Sequence, residues 1–329
     1  MTAAGRTAGA LTVAGLAALA GRYARATAAA DRSWHTRVER ALTGLGEVDE
    51  VSVLPLVERR TIGDPAHTRL RGEAGLSYLV RAGATTLVFD TGLNLHGSDR
   101  PALVENAHTL GVDLQAVDGI VISHAHVDHV GGPHMTRRST FGFSPEPIEP
   151  RGLPAYVPTA DLTHERADVV PTTAPRVIGP GIAVLPPLPA ALFVLGPVLE
   201  QALVVNVRNL GLVVLTGCGH PPMERILGVT EQVLDVPIRA VVGGLHLPVH
   251  ALGTALVPQA VFGNPHWPWR PIGERDAAEV IGQIRARGPR IVALSGHDST
   301  AWTFGAFERA FGDGYRTLRV GGELRIAAG

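Results

Sequence analysis

The sequence predicts an α+β protein in which two β-sheets pack together and helices cover the outside. Three observations predict it. Short apolar runs separated by turn residues crowd the first part of the chain, later runs alternate with stretches of helical period, and 45% of the 329 residues are apolar, enough for a substantial core.

Residues 1–46 read as an alanine-rich leader ending at Gly44 and Gly46, set apart from a main domain over residues 47–329. Arg6 precedes the apolar run Ala8 to Ala20, and the small residues Ala26, Thr27 and Ala28 follow, the order of a secretory signal. The run falls short of the roughly 20 apolar residues that a spanning helix needs, and Arg22 and Arg25 interrupt it. An amphipathic helix continuing through Trp34 and Val38 accounts for the same residues equally well. Export or membrane association through residues 1–30 therefore stays open beside a cytoplasmic location, toward which the single cysteine, Cys218, leans because it allows no intrachain disulfide.

Strands are expected at Val51 to Leu56, Leu76 to Arg81, Thr86 to Asp90 and Gly119 to Ser123, with one helix among them at Pro101 to Leu110. Beyond a Pro-rich stretch from Phe141 to Pro158, strands fit Gln201 to Val207, Gly211 to Thr216, Ile238 to Val242, Arg290 to Ser295, Tyr315 to Val320 and Glu323 to Ile326. Helices fit Met223 to Leu234, Glu274 to Arg287 and Trp302 to Phe311. Ala251 to Pro271, rich in Pro, Gly and aromatics, has no period. It reads either as a lid or as an insertion packed by its own aromatics.

A formal net charge of -1 without a basic run argues against nucleic acid as a partner, leaving a small-molecule substrate. All 29 basic residues are arginine, which excludes lysine Schiff-base chemistry.

The chemistry concentrates in Ser123-His124-Ala125-His126-Val127-Asp128-His129, directly after an apolar strand and before Gly131-Gly132. Histidines at i and i+2 on an extended segment point the same way, and Asp128 and His129 add two donors as the chain turns. Four such side chains in six residues would be costly to bury without a metal. The run resembles the His-x-His-x-Asp-His signature of the metallo-β-lactamase superfamily at every position. The likeness extends to Phe89-Asp90-Thr91-Gly92, to Gly217-Cys218-Gly219-His220 after the strand Gly211 to Thr216, and to Ser295-Gly296-His297-Asp298 after another strand. Within the superfamily the chain is most similar to the dihydropterin ribofuranosyl-aminobenzene phosphate synthase-like branch, through Ala74-Gly75-Leu76-Ser77, Asn106-Ala107, Thr216-Gly217-Cys218-Gly219-His220 and Gly243-Gly244-Leu245-His246-Leu247.

The resemblance implies a four-layer αββα sandwich and two divalent cations, zinc first with iron or manganese as alternatives. His124, His126 and His220 would hold one cation, and Asp128, His129 and His297 the other. A metal-activated water would then cleave an ester, lactone, thioester or phosphoester. Asp90 is expected to orient a ligand histidine by accepting its second N–H. His246 is expected to touch substrate or protonate a leaving group, or else to be structural. Asp298 is expected to orient His297 or face solvent. The chain departs from the wider family at Cys218, where an aspartate is usual; the thiol either ligates metal or packs beneath the site. Two rival readings remain: a transferase-like synthase joining a pterin or aminobenzene partner to a ribose phosphate, which needs an arginine-lined pocket (Arg270, Arg208), and a mononuclear iron oxygenase.

Overall fold

Side chains alternate in direction along a strand, so a strand buried on both faces must be apolar throughout. Glu50–Val57 (β1) and Gly211–Thr216 meet that condition, with every residue buried except Glu50. The computed structural model describes residues 3–34, 42–64 and 67–328; Val38, expected to continue the N-terminal helix, lies outside them. Helix α1 (Ala3–Trp34) precedes β1, β2 (Ser77–Ala82), β3 (Thr85–Phe89), α2 (Ala102–Thr109), β4 (Gly119–Val121) and the short α3 (Pro133–Arg137). Eight strands follow: β5 (Pro154–Val157), β6 (Asp168–Pro171), β7 (Arg176–Gly179), β8 (Ile182–Val184), β9 (Leu188–Leu192), β10 (Gly196–Glu200), β11 (Leu203–Val207) and β12 (Gly211–Thr216). The remainder alternates as α4 (Met223–Val233), β13 (Ile238–Gly243), α5 (Val257–Phe262), α6 (Glu274–Arg285), β14 (Ile291–Leu294), α7 (Ala301–Phe311), β15 (Tyr315–Thr317) and β16 (Leu324–Ala327).

Two seven-stranded sheets result, ordered β16-β1-β2-β3-β4-β5-β6 and β15-β14-β13-β12-β11-β8-β7, with β9 and β10 as a separate hairpin. Val53, Tyr78, Val80 and Phe89 of the first sheet meet Val184, Val205, Leu215 and Val242 of the second in the central core. The opposite face of the first sheet, with Leu56, Leu79 and Ile120, packs on Leu103 and Ala107 of α2. Val204, Val214 and Val241 face outward from the second sheet onto Leu227 of α4, Ile284 of α6 and Phe307 of α7. These are the four layers of an αββα sandwich.

Helix α1 packs on the β9–β10 hairpin. Tyr23 sits between Phe193 and Trp267 with ring centroids 5.5 and 5.0 Å away, and its hydroxyl donates to the Pro265 carbonyl at 2.6 Å. Of the aromatics of residues 251–271, Trp267 packs on α1 and the hairpin and stacks with Trp269, and the segment carries a short helix, α5, that its sequence did not suggest. No helix among the described residues is long and apolar enough to cross a membrane.

Candidate metal centre

Parallel pairing sends the carboxyl ends of β3 and β4 one way in the first sheet, and those of β12, β13 and β14 one way in the second. The loops leaving those ends meet at one edge of the sandwich. After β4 the chain stays extended through His124 and His126, then turns, with the backbone N–H of His129 donating to the His126 carbonyl at 3.0 Å, which brings Asp128 and His129 back beside them. The imidazoles of His124 and His126 stand 4.6 Å apart, and those of His124 and His129 4.1 Å. From the end of β12, His220 places Nε2 3.1 Å from His126 Nδ1. Cys218 Sγ lies 3.2 Å from His129 Nε2 and 3.2 Å from His297 Nε2, the latter carried by the loop after β14.

Three imidazoles have their outer nitrogen tied down. His129 Nδ1–H donates to Asp90 Oδ2 at 2.7 Å. The Ser123 hydroxyl also donates to Asp90 Oδ2, at 2.6 Å, and accepts from His124 Nδ1–H at 2.9 Å. Behind His297 the arrangement repeats with different residues, because Nδ1–H donates to the Ser295 hydroxyl and that hydroxyl donates to Glu58. In each case the ring turns Nε2 toward the centre, the nitrogen that a metal ligand held in this way would use. The close fit depends on Gly217, where a Cβ would stand 2.0 Å from Ser123 Oγ. Asp90 itself is held at φ 60°, a left-handed conformation rare for a non-glycine residue.

Burial pushes His124, His220 and His297 well below the ordinary histidine range and His126 and His246 down to about 4, so their rings are neutral at pH 7. Burial would lower His129 too, but Asp90 and Asp128 outweigh it and bring it up to about 9. Burial and the surrounding carboxylates push the Cys218 thiol well up. His124 Nε2 and His220 Nδ1 are buried with no hydrogen-bond partner among the described residues, an arrangement that costs free energy unless something accepts the lone pairs. Asp128, His129, Cys218 and His297 offer ligand atoms within 4.8 Å of one another, and so do His124, Cys218 and His220. Neutral imidazoles, a carboxylate and a sulfur in that space fit a transition-metal cation, which would take the place of the proton that Asp90 and Asp128 favour on His129.

All the residues expected at the centre converge there. His220 is 7% exposed, not a solvated loop residue, and Asp298 is fully buried, accepting from the His246 backbone N–H at 2.8 Å. His246 lies beside His220, ring centroids 4.8 Å apart, with Nε2–H donating to the Gln259 carbonyl and Nδ1 unpartnered among the described residues. Arg208 does not belong to the site: it pairs with Glu47 and Asp49 instead. His266 pairs with Asp276 near His246.

Two buried carboxylates were not foreseen. Glu58, one residue beyond β1, accepts from Tyr78, Ser295, Gly296 and Arg59, and burial pushes its pKa up to about 7. Glu200 closes its carboxylate over the loop after β12, accepting from the backbone N–H groups of Gly217, Cys218, Gly219 and His220 at 2.8–3.1 Å. It shapes the turn that carries both Cys218 and His220. For Glu58 an acidic residue directly after an apolar run was the one available signal, and it is a weak one; Glu200 had none.

The structure is similar to the crystal structure of Tm1679, described as a metal-dependent hydrolase of the β-lactamase superfamily, at a TM-score of 0.56 and 21% identity over 84% of this chain and 99% of that one. It is also similar to the metallo-β-lactamase fold protein YhfI from Bacillus subtilis, at a TM-score of 0.52 and 16% identity over 84% of this chain and 100% of that one. The chain has the metallo-β-lactamase fold. The family model described as the metallo-beta-lactamase superfamily matches residues 70–135, which hold Asp90 and the whole run from His124 to His129. That match and the fold together support membership of the metallo-β-lactamase superfamily. No curated protein sequence matches the chain.

Proposed function

We propose that the protein is a metal-dependent hydrolase of a small ester, lactone, thioester or phosphoester, working with two divalent cations, zinc first. The observation that carries this reading is the convergence of His124, His220, Asp128, His129 and His297 around Cys218 Sγ, with His126 against His220. His124, His126 and His220 would hold one cation, and Asp128, His129 and His297 the other, with Cys218 donating to both from the position between them. When bound, such cations supply Lewis acidity, lowering the pKa of water and polarising the oxygen of an electrophile.

The chain's own residues would do the rest. Asp90 and Glu58 fix the tautomers of His129 and His297, keeping each Nε2 aimed inward. His246, its Nε2–H committed to Gln259, presents a bare Nδ1 that suits accepting a hydrogen bond or a proton from substrate. The synthase reading draws on the branch resemblance, but its arginines are already engaged: Arg270 with Asp276, Arg208 with acidic residues remote from the cluster.

Two measurements test the proposal. Zinc-loaded protein is expected to hydrolyse some member of an ester, lactone, thioester and phosphodiester panel, and complete inactivity across it would sink the hydrolase reading. Cobalt substitution is expected to give a thiolate-to-metal charge-transfer band that disappears in Cys218→Ser; a spectrum identical in both proteins would remove Cys218 from the ligand set.

A further inference from the structure

Beside the centre lies a chamber of about 390 Å³ that reaches from His220 and His246 to helix α1. Its volume falls in the lower part of the range for small-molecule sites, roughly 300–1,000 Å³. Ala30 of α1, Ala191 of β9, Met223 of α4, Leu245, Leu247 and Ile272 make much of its wall. Its cationic groups reach it already paired, and its one other carboxylate, Glu279, accepts from Gln283. Arg225 binds Asp31 at 2.5 Å and also donates to the Ala30 carbonyl, while Arg270 and His266 share Asp276 at 3.1 Å each. An anionic substrate group would have to break one of these pairs, whereas an uncharged apolar group would cover wall that water now wets. Thr27 Oγ1 and His246 Nδ1, both on lining residues, are buried without hydrogen-bond partners among the described residues, so a few polar contacts are available to orient an occupant.

We propose that α1 forms one wall of the substrate site, and that the chamber it closes takes an uncharged, largely apolar acyl or alkyl group whose length is read by Thr27, Ala30 and Asp31. This rests on the hydrolase reading and narrows it, from phosphoesters toward carboxylic esters, lactones or thioesters with an apolar chain. Contacts from residues 22–31 hold α1 in place: Tyr23 lies between Phe193 and Trp267, Arg22 donates to the Val194 carbonyl, and Asp31 binds Arg225.

The test uses calorimetric titration of full-length protein with N-methylalkanamides of increasing chain length, which are uncharged and not readily hydrolysed. Affinity is expected to rise roughly threefold to fourfold per methylene until the chamber is full, then level off. A carboxylate at the far end of a chain of matching length should weaken binding by about tenfold or more, the cost of a charge left without a partner. Ala30→Trp, which puts an indole into the chamber beside α1, should end the dependence on length several methylenes earlier. Thr27→Leu, a smaller intrusion from the same helix, should end it one or two methylenes earlier and covers the case in which the tryptophan variant fails to fold. Equal length dependence in wild type and Thr27→Leu, no rise with length in wild type, or undiminished binding of the carboxylate series would each overturn the proposal. The matching methyl esters separate it from the hydrolase reading. Length-dependent amide binding without ester turnover leaves the chamber standing and the hydrolysis refuted, while ester turnover indifferent to length and to Thr27→Leu does the reverse.

Discussion

Around His124, His126 and His220 the proposed ligand set is three neutral imidazoles, and among the described residues their side chains reach a carboxylate at Asp90, through the Ser123 hydroxyl. Around Asp128, His129 and His297 the set contains a carboxylate of its own, His129 bonds Asp90 directly, and His297 reaches Glu58 through Ser295. The two halves share Cys218 but differ in negative charge. A cation in the Asp128 half would neutralise the half-buried carboxylate charge that the all-histidine half lacks, so the halves should bind metal unequally. Gradual chelation is expected to empty the histidine half first.

Removing one ligand from each half is the harshest way to break that comparison. His126→Ala and His297→Ala should each lose one cation per chain and lower turnover by more than about 100-fold, beyond the 10- to 100-fold typical of outer partners. Metal content read beside the rate would show whether each half empties alone; loss of both cations from either variant would mean the halves are not separable.

The metal-free protein offers a test of Glu58. Its folded pKa of about 7 lies above the ordinary 4.5, so between those values the native state holds a proton that the unfolded chain has released. Stability contributed by the neutral carboxyl is therefore complete below about pH 4.5 and is lost as pH rises toward 7. At 1.36 kcal/mol per pH unit the loss is up to roughly 3 kcal/mol. Urea unfolding at pH 5 and pH 7.5 should show this decline in wild type and not in Glu58→Gln; parallel behaviour of the two would contradict the assignment.

Asp90→Asn removes the acceptor that His129 uses directly and His124 only through Ser123. Dissociation constants for the two cations should separate, with a 10- to 100-fold weakening in the Asp128 half and a smaller one in the other. Glu200→Gln should act on the loop that bears Cys218 and His220, costing about 1–2 kcal/mol of stability as charge-assisted bonds to four N–H groups weaken. Calorimetric unfolding would read that loss, and a midpoint unchanged from wild type would show that the carboxylate is dispensable to the turn.

The sandwich was legible where side chains are buried on both faces. The runs at β1, β2, β3, β12 and β13 are mostly apolar because most of their side chains are buried, and their predicted bounds fall within two residues of the observed ones. Strands β5 to β10 were not foreseen. They are three to five residues long, and β5, β6, β9 and β10 contain proline; β6 and β7 are half-exposed, so neither a period nor a sustained apolar run marks them. The cluster from His124 to His129 could be read because its ligands are adjacent in sequence, and His220 and His297 because each follows an apolar strand. Glu58 and Glu200 could not, since one acts across 237 residues through Ser295 and the other on backbone groups about 20 residues away. Likewise nothing in an alanine-rich helix at the start of the chain announces that it will stand beside His220 and His246.

Equilibrium dialysis of the purified protein against zinc, with metal counted per chain, bears most directly on the claim that these imidazoles and carboxylates form a dinuclear centre. About two zinc ions per folded chain are expected, the first held more tightly than the second and both lost at low pH as the ligands protonate. A folded protein that retains no zinc, manganese or iron at micromolar concentrations would contradict it.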